Sequence, residues 1–166
     1  MSKRVVAVVF AVMLRPFFAD AAFAQAGIDL RGVGLKLGLV NPDGIDAMIG
    51  YGALADLGKI TPEVMLESNL DYWAEAAFRD LIIGGTAKYM FKNANPTLRP
   101  FAGGGVAFHF LKFSDDSRTK VGLHFGGGLF YALSAQLELL ADGRYTIVSN
   151  ASQIALQAGV VYRLTK

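Results

Sequence analysis

The feature that most constrains this sequence is a two-residue rhythm in its last thirty or so positions. Between Gln136 and Ile147 the even positions carry Gln136, Glu138, Leu140, Asp142, Arg144 and Thr146, and the odd positions carry Leu137, Leu139, Ala141, Gly143, Tyr145 and Ile147. After the turn-like group Val148-Ser149-Asn150-Ala151 the rhythm resumes. Ile154, Leu156, Ala158, Val160, Tyr162 and Leu164 then face one way, and Gln153, Ala155, Gln157, Gly159, Val161 and Arg163 the other. Successive side chains of a strand point to opposite faces, so the pattern predicts a hairpin of two long amphipathic strands. Each exceeds the usual length of about five or six residues and reaches the roughly ten that a tilted strand needs to cross a bilayer.

The same rhythm runs upstream. Segments at about 27–40, 45–57, 61–73, 80–91, 98–113 and 119–133 alternate apolar with polar or glycine positions. They are separated by turn chemistry such as Asn41-Pro42-Asp43-Gly44, Asn95-Pro96 and Ser114-Asp115-Asp116-Ser117-Arg118. With the final hairpin this makes eight evenly spaced strands and no helical period between them. The expected fold class is all-β, an up-and-down antiparallel barrel. The glycine triplets Gly103 to Gly105 and Gly126 to Gly128 lack the following helix and the Gly-Lys-Ser/Thr ending of a phosphate cradle, so they read as points of curvature and close strand approach.

Composition decides the compartment. Hydrophobic residues make up 53% and charged ones 18%, yet no uninterrupted apolar run reaches the roughly 18 residues of a spanning helix. Lys3-Arg4, the apolar run Val5 to Leu14 and the small-residue site Ala22-Phe23-Ala24, with Ala24-Gln25-Ala26 as a second option, read as a secretory signal peptide. The expected domains are a signal peptide over 1–24 and a barrel over 25–166. Without residues 1–24 the chain holds thirteen basic and thirteen acidic residues, so its positive formal charge belongs to the leader and gives no reason to expect nucleic acid. Cysteine is absent, which removes disulfides and thiolate metal sites.

Alternation alone leaves open which face is inside, and a soluble lipocalin-like barrel would turn the apolar face inward. Three observations favour the reverse. Glycines cluster on the charged face, where a small barrel is most crowded. All six tyrosines lie on the apolar face, and Tyr72, Tyr89, Tyr131, Tyr145 and Tyr162 fall near strand ends, as in an aromatic girdle at bilayer interfaces. Charges of both signs, Lys36, Lys88, Arg99, Lys120, Arg144 and Arg163 against Asp46, Asp56, Glu63, Glu67, Asp71, Asp80, Glu138 and Asp142, share the polar face with Asn69 and Thr86 and can neutralise one another in a lumen.

Arg99-Pro100-Phe101-Ala102-Gly103-Gly104-Gly105-Val106, then Gly126 to Tyr131, Asp142-Gly143-Arg144-Tyr145 and Ala158 to Leu164 together resemble the eight-stranded OmpA/OmpX-type outer-membrane barrels of Gram-negative bacteria. The resemblance covers essentially all of the chain after the leader. It implies a luminal acid and arginine at Asp142 and Arg144. It also implies outer-membrane lipid and lipopolysaccharide as surroundings, a monomeric state, and insertion by the outer-membrane assembly machinery, with Tyr162 the aromatic nearest the chain end. Lipid A deacylases of similar size use a lipid-facing His-x-Ser, whereas His109-Phe110-Leu111 and His124-Phe125-Gly126 lack the serine, so no catalytic residue, cofactor or metal is expected.

The expected function is thus a structural or surface-interaction barrel with a lumen plugged by charged side chains. A small pore or an apolar-ligand-binding soluble barrel are the alternatives. With both termini in the periplasm, the external loops fall at about 41–45, 73–80, 114–118 and 148–152, with Trp73 and Phe78 as interface anchors in the second. No periplasmic module is expected after Lys166. A two-residue turn at Asp116-Ser117 would pair His109 with His124 and Gly103 with Phe130. A following turn near Ser134 would set His124 opposite Arg144 beside Asp142, making His109, His124, Asp142 and Arg144 one luminal cluster.

Overall fold

The computed structural model describes residues 29–164 apart from 77, 115 and 150. The expected leader and its cleavage sites lie outside that range. Eight strands, β1 (Gly32–Pro42), β2 (Met48–Lys59), β3 (Val64–Glu75), β4 (Phe78–Met90), β5 (Leu98–Phe113), β6 (Asp116–Ala132), β7 (Leu137–Val148) and β8 (Ala151–Arg163), pair with their neighbours in sequence. β1 also pairs antiparallel with β8, so the sheet closes into an up-and-down barrel. Closure removes the free edges that an open sheet would expose.

The apolar face is outside. Leu35, Leu37, Ile49, Leu123 and Leu156 are all exposed, Leu35 by 72%. Lys36, Glu67, Asp71, Lys88 and His109 are buried in the lumen. This settles the orientation against the lipocalin-like arrangement. All six tyrosines sit on the outer surface. Tyr89, Tyr131 and Tyr162 lie near the terminal end, at which β1 starts and β8 finishes, and Tyr72 and Tyr145 lie toward the other, distal end. Tyr51 joins the distal group by packing on Tyr72, with ring centroids 5.4 Å apart.

The glycine triplets do sit at close approaches. A Cβ on Gly105 would lie 1.9 Å from the Gly85 carbonyl oxygen, and one on Gly126 2.0 Å from that of Gly143. No side chain fits at either position without moving backbone.

Three distal connections are tighter than the sequence suggests. Glu75 pairs with Phe78, Phe113 with Asp116 and Val148 with Ala151, which leaves two residues in each turn. The first of each two, Ala76, Ser114 and Ser149, has φ of 48°, 51° and 53°. Left-handed backbone at that position matches the twist of the flanking strands, as in type I′ hairpins. The β5–β6 turn is therefore Ser114-Asp115, not Asp116-Ser117, and the register moves with it. His109 faces Lys120, His124 faces Gly105, and Gly103 faces Gly126 rather than Phe130. The shift is an even number of residues, so both histidines stay luminal while the expected pairing between them is lost.

Candidate functional site

The lumen is filled in tiers. At the terminal end, Phe101 and Phe130 lie 5.2 Å apart among Leu54, Met65, Leu140 and Val161. Three cations surround them. The Lys88 ammonium is 4.4 Å from the centre of the Phe101 ring, and the Arg99 and Arg163 guanidiniums are each 5.4 Å from that of Phe130. Each cation also has a carboxylate: Lys88 donates to Glu67, Arg99 to Glu138, and Arg163 to both Glu138 and Asp56. Three positive and three negative groups thus neutralise one another in a space where an unpaired charge would cost several kcal/mol.

The central tier is a cross-lumen network. Asp71 on β3 meets Lys36 of β1 at 2.9 Å, Arg144 of β7 at 3.3 Å and the Gln157 amide of β8 at 3.3 Å. Arg144 also donates to Asp142 at 3.1 Å. Asn69 links this set to the opposite wall. Its Oδ1 accepts from Lys36 and Arg144, which fixes the amide orientation, and its Nδ2 donates to Thr86 Oγ1 at 2.9 Å. The Thr86 hydroxyl is 2.8 Å from His124 Nε2. The two cations and two carboxylates again balance.

His124, Asp142 and Arg144 therefore belong to one region, but not in the expected register. His124 faces Thr146, Arg144 faces Gly126, and Asp142 faces Gly128. His109 lies four residues along β5 from the partner of His124 and has a different companion, with Nδ1 2.7 Å from Asp80 Oδ2 and both residues buried. The expected four-residue cluster is thus a three-residue part of a larger network plus a separate acid–imidazole pair. Sequence reasoning placed Lys36, Asn69, Asp71, Thr86 and Gln157 on the polar face, yet their convergence depends on barrel closure, which alternation does not encode.

Trp73 departs from expectation for a simple reason. β3 continues to Glu75, so Trp73 keeps the inward phase of Asp71 and is 2% exposed. It stacks on Phe78 with centroids 5.4 Å apart and planes 13° apart, in a cluster with Val40, Met48, Ile82, Ala107 and Ala155. It is a luminal side chain, not an interface anchor.

The family model for the outer membrane protein beta-barrel domain matches residues 7–163. Among solved structures, the Neisserial surface protein A resembles the chain with a TM-score of 0.65 at 19% identity, over 80% of this chain and 96% of that one. The N-terminal β-barrel domain of Pseudomonas aeruginosa OprF follows with 0.63 at 17%, over 81% and 98%. Ail, the attachment invasion locus protein of Yersinia pestis, gives 0.58 at 16%, over 83% and 99%. No curated protein sequence matches.

Proposed function

We propose a function from one premise: the chain belongs to the outer membrane protein beta-barrel domain family and resides in the outer membrane. On that premise it is a structural barrel whose lumen is closed to ions by its own side chains and whose distal turns face outward, with no chemistry of its own. The observation that carries this is the Arg144–Asp71 ion pair, because β7 and β3 stand four strands apart in a ring of eight and their side chains meet across the lumen. An eight-stranded barrel is narrow enough for side chains to fill it.

The outer surface supports the same reading. Strands of 11 to 17 residues carry an apolar face long enough for the hydrocarbon core. Tyrosines at two levels are placed to meet lipid and lipopolysaccharide headgroups. Insertion would be the task of the outer-membrane assembly machinery, with Tyr162 near the end of β8, and the closed ring needs no second copy to cover an edge. A role in surface contact, of the kind that the attachment invasion locus protein is named for, would fall to the distal turns.

The test is membrane fractionation, electrophoresis with and without boiling, and recording in planar bilayers. A heat-modifiable outer-membrane band with no steady conductance is the expected result, and the double substitution Asp71→Ala/Arg144→Ala should then produce channel events. Steady wild-type conductance would favour the small-pore reading instead.

A further inference from the structure

Above the His109–Asp80 pair a cavity of about 420 Å³ opens at the distal mouth. That volume lies within the roughly 300–1,000 Å³ of small-molecule sites. One side of its wall is aromatic. Trp73 and Phe78 stack, Phe113 tilts against Phe78 at 6.0 Å and 56°, and Leu111 adds apolar surface beside them.

The charges around this cavity are unequal. Of the three carboxylates that line it, Asp80 is engaged by His109 and Asp116 by Arg118 at 2.9 Å, while Asp43 stands exposed to solvent at the rim. Lys36, Lys88, Arg99, Arg144 and Arg163 each hold a carboxylate partner deeper in the lumen. Lys120 faces inward opposite His109, lines the cavity half-buried and, among the described residues, has no ion-pair or hydrogen-bond partner. The Trp73 indole Nε1–H is buried in the same wall and has no acceptor. An apolar, ring-shaped wall with one free cation and one free donor suits a flat molecule bearing a single anionic acceptor.

We infer that the distal cavity binds a small aromatic carboxylate, its ring against Trp73, Phe78 and Phe113 and its carboxylate paired with Lys120. This goes beyond the structural role above and holds whether or not the lumen conducts. Asp80 Oδ1, which also lacks a partner, makes an aromatic ammonium the rival ligand, so the probes must separate the two.

Trp73 is the only tryptophan in the chain, which makes its fluorescence a direct report of occupancy. The protein is refolded into phosphatidylcholine vesicles and titrated with 4-iodobenzoate, whose iodine quenches a nearby indole. Saturable quenching is expected, with apparent affinity at least tenfold weaker for the neutral 4-iodobenzamide on the same wild-type protein. Lys120→Gln should weaken 4-iodobenzoate binding by about the same factor, in protein shown to be folded by its heat-modifiable band. Quenching that never saturates, equal affinity for acid and amide, or tighter binding of 4-iodobenzylammonium would each overturn the proposal.

Discussion

The two ends of the barrel solve one packing problem differently. At the terminal end, long cations lie over Phe101 and Phe130 and each reaches a carboxylate, so charge is balanced against aromatic surface even though Glu67 Oε1 and Arg163 Nη2 make no hydrogen bond. At the distal end the aromatic pair Trp73–Phe78 borders a cavity, and Trp73 Nε1, Asp80 Oδ1 and His109 Nε2 are buried without partners. Both ends are built from the same alternation. The difference lies in side-chain reach: lysine and arginine can span a narrow lumen and still find an acid, whereas a histidine, a short aspartate and a rigid indole are held where the backbone puts them. The terminal end is accordingly packed with paired charges over its rings, and the distal end holds an open cavity.

That contrast predicts where substitutions hurt. The largest effect should come from Lys88→Met, which leaves Glu67 buried and uncompensated at the terminal end. Unfolding by urea in vesicles should show a loss of roughly 4 kcal/mol, and the double substitution Lys88→Met/Glu67→Leu should recover most of it. If the double variant is no better than the single one, the packing of the terminal end depends on more than charge pairing. Next, Gly126→Ala forces a methyl against the Gly143 carbonyl, and a loss of about 2 kcal/mol is expected by the same assay.

Smaller effects should mark the distal end. Trp73→Phe keeps an aromatic ring and removes an N–H with no acceptor, so its cost should be about 1.5 kcal/mol, below the roughly 3–5 kcal/mol of cutting a buried aromatic back to alanine. A larger loss would mean that the distal wall is as tightly packed as the terminal end. Arg118→Ala removes a pair whose side chains are 71% and 62% exposed, and its effect on stability should not exceed a few tenths of a kcal/mol, since solvent and salt screen such pairs.

Much of the fold could be read from single strands. Placing Lys36, Asp71, Lys88 and Arg144 on the polar face required only the period of two, and β5 begins and ends where turn chemistry says it should. The failures share one cause. Ser114 and Ser149 are not obvious left-handed residues, so their two-residue turns were not visible, and without the turn the register of His109 against Lys120 could not be set. Trp73 was misplaced for the same reason, because a loop was expected where the strand and its inward phase continue to Glu75. The companions of His109 and Arg144 were harder still. Asp80 and His109 sit on adjacent strands, and Asp71 and Arg144 on opposite ones, so each contact depends on registers accumulated around the ring.

The sequence by itself determined the strand period, the polar and apolar faces and the glycine positions where strands come close, because each follows from local backbone geometry and side-chain size. Only the tertiary structure decided which charges meet, which buried polar atoms go unpaired and which end of the lumen stays open. Those depend on closure of β1 onto β8, which brings residues more than seventy positions apart, such as Asp71 and Arg144, within hydrogen-bonding distance.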